Sequence, residues 1–211
     1  INEVYGLPKI LKDNGYQTSF FHGAFNGSQN FDQYCKVAGF DAYYGKNEYE
    51  GPEAFDGRWG IFDEEFLQYF SGKLTQFKQP FFTTLFTISS HNPYIIPEKY
   101  KGKFPKGTTK IQETIAYSDF ALKRFFESAS KQEWYKNTLF VIVADHTSSE
   151  PTEAKFKTNV GKFRIPILFF DPSKPEMVGK NMKNLQQIDV MPSVLDYLNI
   201  DTKMISYGKS Y

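Results

Sequence analysis

The sequence predicts an α/β fold, a mostly parallel sheet flanked by helices. Two observations predict it. Four runs, Tyr16–His22, Pro80–Ser89, Thr138–Asp145 and Arg164–Asp171, are of strand length and mostly apolar, aromatic or β-branched. Nearly continuous hydrophobicity of this kind marks strands covered on both faces. Between these runs lie segments of helical periodicity, and alternation of strands with helices favours parallel pairing.

The elements follow in order. Glu3–Asp13 reads as a helix, with Val4, Leu7, Ile10 and Leu11 on one stripe and Pro8 tolerable in a first turn. Asn14-Gly15 is a helix stop, and Tyr16–His22 then enters as a strand. The surroundings of Cys35 suggest a helix face. Asp63–Phe77 is a helix with acidic residues in its first turn, where they suit the helix dipole. It leads to the Pro80–Ser89 strand. Thr109–Lys131 is a helix with Ile111, Ile115, Ser118, Leu122, Phe125 and Phe126 near one face. The strands Thr138–Asp145 and Arg164–Asp171 follow, and Ile188–Leu198 is a last short helix.

A chain of 211 residues is long enough for one domain with a sizeable core. No stretch reads as a linker, a repeat or a low-complexity run. The 25 basic residues balance 24 acidic ones, so no strong field draws the chain to nucleic acid or anionic lipid. The 22 Phe, 14 Tyr and 2 Trp fill a core or line a cleft. One cysteine, Cys35, forms no internal disulfide and leaves the redox compartment open. No apolar run approaches the roughly 18 residues that span a bilayer. The first residue is Ile1, so a segment upstream, with any signal or anchor, is expected to be missing.

Chemistry concentrates at strand ends. His22 ends the first strand, Ser89-Ser90-His91 the second and Asp145-His146 the third, and these include all three histidines. Ligands bind at that edge of open α/β sheets, and convergence of the four residues there is expected. The carboxylate and imidazole of Asp145-His146 suit a borderline divalent ion, although two ligands do not fill a site. The plainer alternative is a turn-capping Asp beside a surface His. His91, before Asn92-Pro93, is placed to bind an anionic oxygen or pass a proton, or is a loop histidine without a role. The His22-Gly23 loop is adaptable, and it is no Walker motif. Arg58-Trp59 offers a cation and a stacking face, with packing of the Trp on the domain surface as the plainer reading. No nucleophile elbow, HExxH or CxxC is present.

Taken in order, Gly15–Gly23, Gly39-Phe40-Asp41, Trp59–Glu64, Ser90–Tyr94, Tyr117-Ser118-Asp119, Ala144-Asp145-His146, Ile165-Pro166-Ile167 and Gln186–Pro192 closely resemble the extracellular domain of the lipoteichoic acid synthases and phosphoglycerol transferases. These belong to the sulfatase and alkaline-phosphatase superfamily. The resemblance runs over essentially the whole chain and implies an alkaline-phosphatase-like fold. Residues 1–211 would be the C-terminal portion of its catalytic domain.

Carried over by position, the resemblance implies that Asp145 and His146 are ligands of a catalytic divalent ion, Mn²⁺ first, with Zn²⁺, Mg²⁺ or Ca²⁺ as alternatives. It implies that His91 binds substrate and acts in catalysis, and that His22 binds substrate. At the positions of the synthases' Trp and Arg this chain has Gln29 and Phe31, which weakens the case for glycerol phosphate. The family's Thr nucleophile and Glu ligand, or a sulfatase Cys/Ser motif, would lie upstream. Cys35 does not fit that motif.

The implied function is metal-dependent hydrolysis or transfer of a phosphate or sulfate ester, lipid- or glycan-linked, in the cell envelope. Nucleic acid is not an expected partner. Anchoring to the cell membrane through missing N-terminal helices is implied, with the catalytic domain extracytoplasmic. The implied mechanism is a two-step displacement through a covalent enzyme ester, with the histidines on the non-bridging oxygens. The chain alone would be inactive; were it active, Ser89, Ser90 and Thr147 are the hydroxyls to examine first. The alternative from another class is a non-catalytic domain of the same fold that binds a glycan or lipid head group.

Overall fold

A computed structural model describes residues 4–211. The chain divides into two compact units, residues 1–132 and 133–211.

In the first unit, helix α1 (Leu7–Asp13) begins with Pro8 in its first turn and buries Ile10 and Leu11. The expected helix is shorter at its start: Val4 is outside it, and Glu3 lies outside the described residues. Strand β1 (Gln17–His22) is the centre of a three-stranded parallel sheet, flanked by β2 (Ala42–Tyr44) and β3 (Phe81–Phe86). The register pairs His22 with Phe86 and Phe21 with Tyr44, so β1 and β3 end at the same edge. Thr18 to His22 are all buried, as a central strand requires.

Helix α2 (Phe31–Ala38) crosses from β1 to β2 and ends at Gly39, whose φ of 90° suits glycine alone among common residues. Helix α3 (Asp63–Leu74) packs against the long helix α4 (Ile111–Ala129). The core is aromatic: Phe21, fully buried, stacks on Tyr44 at 4.5 Å and meets Phe70 edge-on at 4.8 Å.

In the second unit, β4 (Phe140–Val143) and β5 (Ile167–Phe170) pair antiparallel, the exception within a sheet expected to be mostly parallel. The reason is the connection. Residues 144–166 contain only short 3₁₀ turns, and a parallel pair normally needs a helical crossover. Helix α5 (Val190–Tyr197) follows. Among the described residues no helix is long and apolar enough to cross a membrane.

Candidate functional site

His22 closes β1 and is 2 % exposed. Phe31 meets its ring edge-on at 4.8 Å, Phe86 at 5.5 Å, and the Tyr43 hydroxyl lies 3.3 Å from Nδ1. Burial in this aromatic box disfavours the charged imidazolium and pulls the His22 pKa down to about 4, so the ring is neutral at pH 7. The box was not legible from periodicity, because Phe31 and Phe86 belong to different elements. Gln29 and Asn30, just before Phe31, both adopt left-handed backbone conformations, with φ of 54° and 59°.

The loop after β1 is pinned by residues 54–62. Gly60 bridges Ala24, and the Ile61 amide donates to the Gly23 carbonyl at 2.9 Å. The approach requires glycine, since a Cβ on Gly60 would stand 2.3 Å from the Gly23 oxygen. Asp56 Oδ1 then fixes the turn by accepting the amides of Arg58, Trp59 and Gly60 at 2.8, 2.7 and 3.0 Å.

His91 lies in the loop after β3, exposed, with its ring 4.4 Å from that of Trp59. The Asn92 carbonyl accepts from both: from the Trp59 indole N–H at 2.6 Å and from His91 Nδ1 at 2.9 Å. A carbonyl only accepts, so in the neutral ring Nδ1 carries the proton and Nε2 faces outward with its lone pair. Trp59 is therefore more than a surface packing residue: it holds the loop that bears His91.

Beneath this loop sits Asp63, the first residue of α3. Its Oδ1 accepts the amides of Ile88 and Ser89 at 2.9 and 3.1 Å, and its Oδ2 accepts the Ser118 hydroxyl at 3.0 Å. Burial raises its carboxyl pKa against these hydrogen bonds. As a sequence feature Asp63 was one of three acidic residues in a first turn, and nothing marked it as the one that ties α3 to the segment after β3.

The hydroxyls of Ser89 and Thr147 are engaged structurally. Ser89 accepts the Asp63 amide at 2.9 Å, and Thr147 donates to the Lys162 carbonyl. Cys35 is buried, and desolvation, with Asp32 adding to it, pushes its thiol up to about 11, far from a reactive thiolate.

In the second unit, Asp145 and His146 follow β4, both exposed. The His146 amide donates to Asp145 Oδ1 at 2.9 Å. His146 Nδ1 donates to the Thr147 carbonyl at 2.7 Å, which leaves the Nε2 lone pair available, 3.5 Å from Asp145 Oδ2. A backbone carbonyl behind a ligating imidazole is the usual orienting arrangement. The Gln187 amide braces the segment through the Ala144 and Asp145 carbonyls at 3.0 and 3.1 Å. A cavity of about 460 Å³ opens beside His146, lined by Thr147, Pro151, Lys157, Lys162 and Phe163 among others. The pair fits two donors to a divalent ion. Among the described residues no group of three or more His, Cys, Asp or Glu is placed to hold a metal. His22 and His91 are thus brought to one sheet edge in the first unit, and Asp145 and His146 stand together in the second.

The sulfatase family model matches residues 2–200. Lipoteichoic acid synthase 1 of Bacillus subtilis is 30% identical over 98% of this chain and 35% of its own length. The lipoteichoic acid synthase of Staphylococcus aureus is 28% identical over 96% of this chain and 34% of its own. The chain spans about a third of the length of the curated relatives it matches. Among solved structures, an alkaline phosphatase superfamily protein from Vibrio parahaemolyticus is similar with a TM-score of 0.81 at 28% identity, over 95% of this chain and 48% of that one. The lipoteichoic acid synthase LtaP of Listeria monocytogenes shares the fold with a TM-score of 0.78 at 22% identity, over 98% of this chain and 55% of that one. The chain belongs to the sulfatase family.

Proposed function

We propose that this chain is the C-terminal portion of the catalytic domain of a metal-dependent enzyme that hydrolyses or transfers a phosphate or sulfate ester. Its substrate is a lipid- or glycan-linked ester of the cell envelope, and its catalytic domain stands outside the cell membrane. The observation that carries this reading is the match to the sulfatase family along residues 2–200; the resemblance of the strand-end motifs supports His22, His91, Asp145 and His146 as its site residues. The relatives named as lipoteichoic acid synthases support the envelope as the place of action.

The roles come from the family resemblance, and the local geometry is compatible with them. Asp145 and His146 would hold the metal as two of its ligands, Mn²⁺ being the first candidate. A divalent ion there supplies Lewis-acid stabilisation of the ester oxygens. His91, with Nδ1 tied to the Asn92 carbonyl, directs Nε2 at the substrate. There it binds a non-bridging oxygen when protonated, where negative charge accumulates in the transition state. His22 acts as a neutral imidazole behind the Gly23 loop. The resemblance implies that the attacking hydroxyl comes from another part of the domain; within this chain the Ser89 and Thr147 hydroxyls are engaged and Cys35 is buried, which leaves Ser90 as the local hydroxyl to test.

The test is turnover of a chromogenic phosphate ester and a chromogenic sulfate ester with added Mn²⁺. It is run on the 211-residue chain and on the complete catalytic domain. The domain should turn over one of the two esters and the chain neither. Turnover of neither ester by the domain would favour a binding protein of the same fold.

A further inference from the structure

The roles above leave Arg58 and Trp59 unused, yet three backbone hydrogen bonds to Asp56 Oδ1 fix this part of their loop. The loop is stitched to the end of β1 through the Gly60–Ala24 bridge and the Ile61 amide. It is tied to the segment after β3 through the Trp59 indole and the Asn92 carbonyl. It therefore stands at the edge where the parallel strands end, the place where open α/β sheets bind ligands.

One indole organises two donors there. The His91 ring centroid lies 4.4 Å from that of Trp59, inclined at 63°. The Arg58 guanidinium carbon lies 6.0 Å from the centroid of the indole. The negative face of an indole favours a cation beside it. Arg58 is exposed, and among the described residues no ion pair ties it to a carboxylate. An arginine without a carboxylate, on a loop fixed at both ends, has its donor fork open to an anion. That fork matches two oxygens of a tetrahedral oxyanion, and His91 Nε2 offers a third contact when the ring is protonated.

We propose that Arg58 contacts the substrate, gripping with His91 the non-bridging oxygens of a phosphate or sulfate ester, and that Trp59 positions both. The inference rests on the proposed function for the identity of the ester. The oxyanion site itself rests on the loop geometry.

The experiment is an NMR titration of the 211-residue chain with methyl phosphate and with methyl sulfate, glycerol serving as the neutral control. The Arg58 side-chain N–H, the Trp59 indole N–H and the His91 ring signals should move together and saturably with an anion and stay put with glycerol. The ester that saturates them at the lower concentration identifies the preferred source of the oxyanion. Arg58→Gln should weaken binding about tenfold, the usual scale for a lost charge-assisted hydrogen bond. Arg58→Lys should recover part of it, and Arg124→Gln should change nothing. Trp59→Phe keeps a ring and removes the indole donor, and should weaken binding while uncoupling the Arg58 and His91 shifts. Unmoved signals in the parent chain, or unchanged affinity in Arg58→Gln, would overturn the proposal.

A second measurement separates it from the functional reading. In the complete domain, Arg58→Gln should lower kcat/KM for the ester about tenfold. Undiminished turnover in that variant sinks the Arg58 assignment and leaves the enzyme reading intact. Anion binding lost in Arg58→Gln, with no turnover by the parent domain, does the reverse.

Discussion

Asp63 and Ser89 hold each other: the Asp63 amide donates to Ser89 Oγ at 2.9 Å, and Asp63 Oδ1 accepts the Ser89 amide at 3.1 Å. The pair joins the start of α3 to the segment after β3 that leads into His91. Ser118 of α4 completes the node through Asp63 Oδ2. Two helices and a strand end are thus locked together beneath a candidate substrate residue.

Removing the Asp63 carboxyl leaves two buried amides without acceptors. Asp63→Ala should cost about 3 kcal/mol, because each unpaired buried group costs roughly 1–3 kcal/mol. An amide of the same shape keeps an oxygen to accept the Ile88 and Ser89 amides and can itself donate to the Ser118 hydroxyl. Asp63→Asn should therefore cost less than about 1.5 kcal/mol. Urea unfolding of both variants at pH 7 decides, and equal losses would remove the hydrogen-bond explanation.

His22 should make stability fall with acidity. Its folded pKa is lowered by burial to about 4, against 6.5 for the ordinary side chain. Above the unfolded value the ring is neutral in both states and adds no pH dependence. As pH drops from about 6.5 towards 4, the unfolded chain takes up a proton that the folded chain refuses, and stability declines. The loss should approach about 3 kcal/mol by pH 4. His22→Gln should flatten that part of the profile, measured by urea unfolding between pH 7 and pH 4.5. An identical slope in the variant would place the titration elsewhere.

Gly60→Ala should disturb the site more than its size suggests. The added Cβ meets a backbone oxygen at 2.3 Å, which no side-chain rotation relieves. Forcing the loops apart should cost about 2 kcal/mol, the usual scale of overpacking. It should also detach the Trp59 indole from Asn92, readable as a shift of the indole N–H resonance. Gly57→Ala is the local comparison, since nothing crowds that position and only its φ of 84° opposes a side chain.

Much of this architecture was legible in the sequence. The apolar runs marked β1, β3, β4 and β5 within a few residues, apolar stripes marked α1 and α4, an acidic first turn marked α3, and α5 was expected as a last short helix. Strand β2 escaped because three half-buried residues carry no periodicity. The antiparallel pairing of β4 with β5 escaped because strand hydrophobicity records burial and not direction. His22, His91, Asp145 and His146 stood out by residue type and by their place after strands. What surrounds them did not. The box of Phe31, Tyr43 and Phe86, the shared Asn92 carbonyl and the Asp63 node are contacts between segments remote in sequence.

Metal binding by the 211-residue chain should be weak, since Asp145 and His146 supply two donors and a catalytic site normally has at least three protein ligands. Isothermal titration with Mn²⁺ and Zn²⁺ should give no tight stoichiometric binding. Tight binding abolished by His146→Ala would show that the chain completes the site by itself.

The most direct measurement is the Mn²⁺ dependence of ester turnover in the complete domain, compared for the parent, Asp145→Ala and His91→Ala. Asp145→Ala should lower kcat at least tenfold and raise the Mn²⁺ needed for half-maximal rate by a similar factor, as expected when a direct ligand is lost. His91→Ala should lower kcat/KM and leave the Mn²⁺ dependence where it was. Unchanged kcat and unchanged Mn²⁺ dependence in Asp145→Ala would contradict the metal assignment and the chemistry built on it.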